Sequence, residues 1–206
     1  MTSQTTALRA IPLDRSRQVK AVVIGASAGG VDALLQLLTS LPADFRLPVI
    51  SVLHLPQSRG SQLAAIFQQR TTLRVREAAD KESICPATLY FAASGYHLSI
   101  ESDHSFSLSN EDQQHFSRPS IDLLMLSAAD AYGVNLAGIV LTGANQDGAA
   151  GLARIHRCGG LTVVQDPLEA QVATMPEAAI RAQQPDLILG LKDIGRLLLQ
   201  LDKNSC

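Results

Sequence analysis

Short apolar runs alternate with amphipathic stretches along most of this chain. The run "VKAVVIGA" at 19–26 is almost continuously apolar, which is typical of a strand buried on both faces. Comparable runs lie at 48–53, 88–93, 136–143, 161–166 and 186–190. Apolar residues three or four positions apart predict helices at 31–41, 63–69, 118–133, 149–157 and 194–201. Strand and helix therefore alternate, as in folds built from parallel crossovers.

This order predicts an α/β protein with a doubly wound, mostly parallel sheet and helices on both faces. One stretch differs, because "YHLSIES" and "SFSLS" alternate apolar and polar residues around "SDH". That pattern predicts an antiparallel β-hairpin added to the sheet. We expect one domain over 19–206, preceded by a tail or linker remnant at 1–18.

Composition and charge narrow the range of partners. The chain has 206 residues and a formal net charge of −2 without a basic cluster, which argues against binding nucleic acid or an anionic membrane surface. Three widely spaced cysteines favour reduced thiols over a disulfide framework, and no pair has zinc-site spacing, so no metal is expected. No stretch resembles a signal peptide or a transmembrane span. These features predict a cytoplasmic protein.

Polar residues follow three of the predicted strands, at the edge where open parallel sheets bind ligands. Ser27 follows the first strand, His54 the second, and Asp147 the strand at 136–143. A serine, a histidine and a carboxylate are the groups needed for acyl transfer. Each also has a structural interpretation: Ser27 as a helix cap, His54 as a satisfied core histidine, and Asp147 as a turn residue or helix cap.

The residues around Ser27 follow the pattern G-x-S-x-G, from Gly25 to Gly29. Small residues on both sides allow a sharp strand-to-helix turn that exposes the hydroxyl, and the amide of Ala28 would then point toward an oxyanion. The alternative is a dinucleotide-binding loop. Its spacing differs from G-x-G-x-x-G, and His54 stands where a ribose-binding carboxylate is expected.

Taken together, these segments resemble the catalytic domain of the chemoreceptor glutamate methylesterases, the CheB family, over roughly 19–200. The segments "VVIGASAGG", "HLP" and "LTGANQDGAAGL" resemble the family's serine, histidine and aspartate segments. "RPSIDLLM" and "VVQDPLEAQVATMPEAAI" resemble two further blocks, and all five occur in the family's order.

The resemblance implies that Ser27 is the nucleophile, His54 the general base and acid, and Asp147 the residue that orients it. The implied reaction hydrolyses glutamate γ-methyl esters on the cytoplasmic helices of chemoreceptors and releases methanol, without a cofactor. Deamidation of receptor glutamines occurs in some members. Many members also carry an upstream phospho-receiver domain, which the residues before the first strand are too few to form. The sequence is therefore interpreted as a stand-alone catalytic domain or a fragment, with a separate receiver protein as a regulatory partner.

The aspartate segment departs from the family, which usually has G-M-G where this chain has Gly143, Ala144 and Asn145. Asparagine tolerates the left-handed backbone region, so we expect Asn145 to adopt it and to extend its amide over the cleft. Ala28, Ala144 and Asn145 are the predicted oxyanion and substrate-binding residues, and Met175 is expected to pack on substrate or fill the core. The departures leave a second hypothesis open, a catalytically silent module that binds a receptor or a partner.

Overall fold

The computed structural model describes residues 18–54, 63–114 and 117–205. The strands are β1 (Ala21–Ala26), β2 (Val49–Leu53), β3 (Arg74–Glu77), β4 (Thr88–Phe91), β5 (His97–Ile100), β6 (Phe106–Ser109), β7 (Leu136–Val140), β8 (Leu161–Gln165) and β9 (Leu187–Leu189). The helices are α1 (Gly30–Leu38), α2 (Leu63–Gln68), α3 (Ile121–Tyr132), α4 (Ala149–Arg157), α5 (Thr174–Ala182) and α6 (Leu191–Asn204).

Seven of these strands form one parallel sheet in the order β3-β4-β2-β1-β7-β8-β9. β5 and β6 pair antiparallel as a separate two-stranded sheet. The prediction of a doubly wound parallel sheet with an antiparallel hairpin is thereby confirmed. β1 is central, with β2 on one side and β7 on the other, so the order in which strands are added to the sheet reverses beside it. In open α/β sheets, ligand sites form at such a switch point.

The two faces of the sheet bury two separate cores because side chains alternate along each strand. In β1, Val22 and Ile24 join the core under α1 and α6, and Val23 joins the opposite core under α3, α4 and α5. All six residues of β1 are buried, as the continuous apolar run predicted. The strand is thus fixed from both faces, and its end is a rigid base for whatever follows it.

Several elements differ from the sequence-based expectation. β3 was not predicted, because "RVRE" is a short and mostly exposed edge strand without an apolar run. α3 begins at Ile121 instead of at Pro119, since Ser120 has extended backbone angles and caps the helix. α5 was also not predicted as a helix.

Residues 1–17 of the expected tail lie outside the described residues. No helix in the described ranges is both long and apolar enough to cross a membrane.

Candidate active site

The ends of β1 and β2 place Ser27 beside His54. Ala26 pairs with Leu53 in the parallel ladder, and the N–H of His54 donates to the carbonyl of Ala26 at 3.0 Å. On the other side, the N–H of Ser27 donates to the carbonyl of Thr142 at 2.9 Å. Ser27 therefore lies between the histidine-bearing strand and the strand that leads to Asp147, at the carboxyl edge of the sheet.

Two glycines shape the turn that carries Ser27. A Cβ on Gly25 would collide with the side chain of Ile121, so this glycine allows the start of α3 to pack against the end of β1. Gly29 has φ +77°, a conformation that L side chains rarely adopt, and it is the N-cap residue of α1. The carbonyl of Ser27 accepts the N–H of Gly30 at 2.7 Å, but its hydroxyl makes no hydrogen bond to this helix within the described residues. Its hydroxyl is half-buried and is left available for another role.

Asp147 is fully buried at the N-terminus of α3. Its Oδ1 accepts the Ser120 hydroxyl at 3.0 Å and the Asp122 N–H at 2.8 Å, and its Oδ2 accepts the Ile121 N–H at 2.8 Å. Burial raises the pKa of Asp147, but the contact with His54 and the backbone N–H groups of Asp122 and Ile121 outweigh burial and hold the pKa below its usual range. The carboxylate is therefore ionised at neutral pH.

His54 and Asp147 are in direct contact. The Nε2 atom of His54 lies 3.0 Å from Oδ2 of Asp147, and the histidine side chain is only 10 % exposed. Nε2 has no well-aligned hydrogen bond, so the oxygen lies off the line of the N–H bond and the contact is chiefly electrostatic. A carboxylate at Nε2 favours the tautomer with the proton on that nitrogen. Nδ1 is then the nitrogen that can accept a proton.

The second ring nitrogen faces a serine that the sequence did not single out. The Oγ of Ser117 lies 3.5 Å from Nδ1 of His54, at the outer limit of a hydrogen bond. Within the described ranges, Ser27 Oγ makes no hydrogen bond to His54. The roles implied by the resemblance need both Asp147 and Ser27 at the imidazole ring, and of these two Asp147 is the one in contact with it. Catalytic hydrogen bonds are often long or poorly aligned in the absence of substrate and shorten when it binds.

Free backbone donors flank Ser27. No acceptor in the described part of the chain contacts the N–H of Ala28 or of Ala144, and both residues are exposed. Such amides are suited to binding a negatively charged oxygen. The expectation for the backbone of Asn145 is wrong, because the described non-glycine residues with positive φ are Lys81, Ala87 and His104.

A side-chain turn replaces the left-handed conformation expected at Asn145. The Oδ1 atom of Asn145 accepts the N–H of Asp147 at 3.2 Å, two residues further on. The positive φ falls instead on Gly148, the N-cap residue of α4, at +95°. The half-buried Asn145 side chain therefore helps to hold Asp147 through its oxygen, and its amide nitrogen has no partner within the described residues.

Met175 is buried in the core. Its side chain is 1 % exposed, and a Cβ on Gly143 would lie 2.7 Å from its sulfur. The N–H of Met175 donates to the carbonyl of Gly143 at 3.0 Å. Of the two expectations for this residue, its position supports core packing beneath the loop that carries Ala144 and Asn145. Contact with substrate would need the side chain to move.

Asp122 is a buried residue of the site that sequence reasoning missed. Its Oδ1 accepts the N–H groups of Gly148 at 2.9 Å and Gly151 at 2.7 Å, at the start of α4. The two carboxylates thus act reciprocally, with Asp147 binding the start of α3 and Asp122, on α3, binding the start of α4. An acidic residue in the first turn of the predicted helix was the available indication.

Thr142 was also missed, and it connects the loops around Ser27. Its hydroxyl donates to the carbonyl of Ala28 at 2.8 Å and accepts the N–H of Val172 at 2.9 Å. It lies in the "LTG" segment directly after β7, a position that alone does not indicate its partners.

The described residues contain no group of three or more histidine, cysteine or acidic side chains that could hold a metal ion.

Comparisons with known proteins agree on one family. Residues 22–198 match the family model described as CheB methylesterase. A protein of Leptospira interrogans serovar copenhageni is 43 % identical over 186 residues, which are 90 % of this chain and 96 % of that protein. The crystal structure of the Thermotoga maritima CheB methylesterase catalytic domain superposes with a TM-score of 0.85 at 30 % identity, covering 89 % of this chain and 99 % of that one.

Longer relatives match as well. The Clostridium acetobutylicum protein-glutamate methylesterase/protein-glutamine glutaminase is 31 % identical over 90 % of this chain and 54 % of its own length. Protein-glutamate methylesterase FrzG of Myxococcus xanthus is 35 % identical over 87 % of this chain and 52 % of its own length. This chain therefore spans about half the length of these two relatives.

Proposed function

The chain belongs to the CheB methylesterase family, and we propose that it is a serine hydrolase that removes methyl groups from glutamate γ-methyl esters on chemoreceptors. The observation that carries the proposal is the buried contact between His54 and Asp147 at the strand edge that also bears Ser27. The partners are the cytoplasmic helices of methyl-accepting chemoreceptors, which makes the cytoplasm the site of action.

Ser27 acts as the nucleophile in the first half of the reaction. Its Oγ attacks the ester carbonyl carbon while Nδ1 of His54 takes the hydroxyl proton. Asp147 stabilises the imidazolium that forms, because its carboxylate lies 3.0 Å from Nε2. The tetrahedral intermediate collapses when the imidazolium returns the proton to the methoxy oxygen. Methanol leaves, and the glutamyl group remains bound to Ser27 as an ester.

Water completes the cycle in the second half. His54 removes a proton from a water molecule, the resulting hydroxide attacks the glutamyl–serine ester, and the proton then passes to Ser27 Oγ. The products are a glutamate side chain and the free serine. The N–H groups of Ala28 and Ala144 are the proposed donors to the oxyanion in both halves.

Deamidation of receptor glutamine follows the same route with ammonia as the leaving group. Several relatives carry both activities in their names, including the Clostridium acetobutylicum protein. The neutral amide and the neutral methyl ester have similar shapes, and both yield a glutamyl ester on Ser27. One site therefore suffices for both reactions, and no cofactor takes part.

Methanol release from a methylated receptor tests this proposal. The chain is incubated with the cytoplasmic fragment of a chemoreceptor whose glutamates carry radiolabelled methyl groups, and volatile methanol is counted over time. We expect release that is proportional to the amount of chain. Release equal to the uncatalysed background would contradict the proposal.

A catalytically silent, receptor-binding module is the second candidate. The observation that favours it is that, among the described residues, the hydroxyl that hydrogen-bonds to Nδ1 of His54 is that of Ser117 and not that of Ser27. A silent module would bind the methylated fragment without releasing methanol. Measuring binding in the same incubation therefore separates the two candidates.

The amide of Asn145 is a proposed third donor to the oxyanion. Asn145→Asp keeps the Oδ1 acceptor that holds the N–H of Asp147, but it replaces the amide donor with a second oxygen. Loss of one oxyanion donor lowers kcat by about 10²–10³, and the added negative charge acts in the same direction. We expect a decrease of at least this size, measured as methanol release under saturating substrate.

Asn145→Ala is the matched control, since it removes both the acceptor and the donor. If the side chain acted only through the turn, Asn145→Ala would be slow while Asn145→Asp kept full activity. That combination would remove Asn145 from the oxyanion site.

A further inference from the structure

The segment 166–173 joins β8 to α5 and ends at the same sheet edge as Ser27. Leu168, in this segment, is 96 % exposed, the highest value among the large apolar side chains of the described residues. A single exposed leucine is common on protein surfaces and means little alone. The local structure that holds it and its distance from the nucleophile are what make it informative.

Hydrogen bonds hold Leu168 on a fixed turn. Its N–H donates to Oδ1 of Asp166 at 2.9 Å, and the carbonyl of Asp166 accepts the N–H groups of the two residues after Leu168, each at 3.0 Å. The next residue, Glu169, accepts the N–H of Leu191 at 3.0 Å at the start of α6. The backbone around Leu168 is thus anchored on both sides, and its side chain is presented to solvent by an ordered turn.

The same segment is attached to the nucleophile turn. A Cβ on Gly29 would lie 2.8 Å from the Cβ of Gln171, so Gln171 rests against the turn. Val172 is hydrogen-bonded to Thr142, whose hydroxyl also binds the carbonyl of Ala28. The path from Leu168 along the chain to Gln171, across the contact to Gly29 and on to Ser27 is short. With at most about 3.8 Å between consecutive Cα atoms, it places Leu168 within roughly 25 Å of Ser27. That is less than five turns of an α-helix.

One charged residue, the exposed Glu169, lies between Leu168 and the nucleophile turn, and its carboxylate accepts the N–H of Leu191 at the start of α6. The stretches 27–29, 143–146 and 170–174 contain no charged residue, and Ala28, Ala144 and Gln171 are exposed. Charged residues are depleted at the buried centre of protein interfaces, where apolar side chains supply most of the binding energy. The surface formed by these uncharged stretches is therefore suited to binding a polypeptide.

We propose that the 166–173 segment receives the polypeptide around the ester-bearing glutamate, with Leu168 as its apolar anchor and Gln171 beside the nucleophile. The proposal rests on the proposed function and specifies its substrate. The substrate is an α-helix that carries an apolar side chain less than five turns from the methylated glutamate. Leu168 contributes to binding in the ground state and in the transition state alike, so it acts on KM.

Leu168→Ser tests the anchor. With the radiolabelled cytoplasmic chemoreceptor fragment as substrate, we expect KM to rise about tenfold with kcat within about twofold of the original, the pattern of lost uniform binding. Leu168→Met, which keeps an apolar side chain, is expected to restore KM to within about threefold. Val134→Ser is the matched surface control, because Val134 is 59 % exposed at the opposite edge, just before β7.

Each outcome decides the proposal. An unchanged KM in Leu168→Ser, or an equal rise in Val134→Ser, would overturn the anchor while leaving the proposed function intact. A fall in kcat with unchanged KM would show that the substitution disturbs the catalytic turn, and it would also overturn the anchor. Absence of methanol release by the unaltered chain would overturn both the proposed function and the anchor.

Discussion

Replacing Ser27 with alanine is expected to lower methanol release from a methylated receptor fragment by a factor of about 10⁴–10⁶. Alanine lacks the hydroxyl that would form the glutamyl ester, so the covalent route is closed. The fold should be unaffected, because the contacts of Ser27 are made by its backbone, through its N–H to Thr142 and its carbonyl to Gly30. Single-turnover methanol release, with thermal unfolding measured in parallel, checks both expectations.

Ser117→Ala is the control that the structure offers for this experiment. Ser117 presents the other hydroxyl near His54, 3.5 Å from Nδ1, but a different local structure follows it. A helix with a free N-terminal amide follows Ser27, whereas the N-terminus beyond Ser117, that of α3, already binds Asp147. We expect Ser117→Ala to lower methanol release by less than about tenfold. A large loss in Ser117→Ala together with an active Ser27→Ala would assign the nucleophile to Ser117.

Patterns within single strands were sufficient to predict the sheet and the sheet edge that carries the candidate site residues. Buried parallel strands are continuously apolar, and the residue that follows each one falls at the same edge. Ser27 and His54 follow adjacent strands, and the N–H of His54 donates to the carbonyl of Ala26, the residue directly before Ser27. β3 escaped prediction because an edge strand with mostly exposed side chains has no such pattern.

The contacts around Asp147 could not be predicted from local sequence. Asp147 was considered as a cap of the helix that follows it, yet it binds the start of α3, more than twenty residues earlier. The approach of Ser117 to His54 and of Gln171 to Gly29 likewise joins distant segments. Such contacts depend on how helices pack on the sheet, and side-chain periodicity carries no information about the partner chosen.

Asn145 shows where a residue preference misleads. Asparagine tolerates positive φ, but it also binds the N–H two residues further on, and the second tendency prevails here. Gly148 supplies the left-handed conformation at lower cost, because it has no Cβ. The loop therefore keeps Asp147 in place through one asparagine oxygen and one glycine.

Asp147→Asn is expected to lower kcat by about 10⁴. An amide nitrogen facing Nε2 of His54 would donate a hydrogen bond to it, so the ring proton would move to Nδ1. The nitrogen that should accept the Ser27 proton would then already carry one. The other amide orientation places the donor against the Ser120 hydroxyl and the N–H of Asp122, which also disfavours the native geometry. Methanol release at saturating substrate, near neutral pH, measures the loss.

The pH dependence of the stability of Asp147→Asn distinguishes loss of the Asp147 charge from a general loss of folding stability. Asp147 is fully buried and accepts three hydrogen bonds, so we expect the free energy of unfolding to fall by about 2–3 kcal/mol at neutral pH. Because the pKa of Asp147 is lowered by folding, its contribution is complete above the unfolded-state pKa of about 3.9 and is lost as the pH falls through the lower folded-state value. The original chain and the variant should therefore converge in stability below about pH 4. Urea unfolding of both proteins between pH 7 and pH 2 measures this. A difference in unfolding free energy that stays constant down to pH 2 would mean that the negative charge of Asp147 at the start of α3 does not contribute to stability.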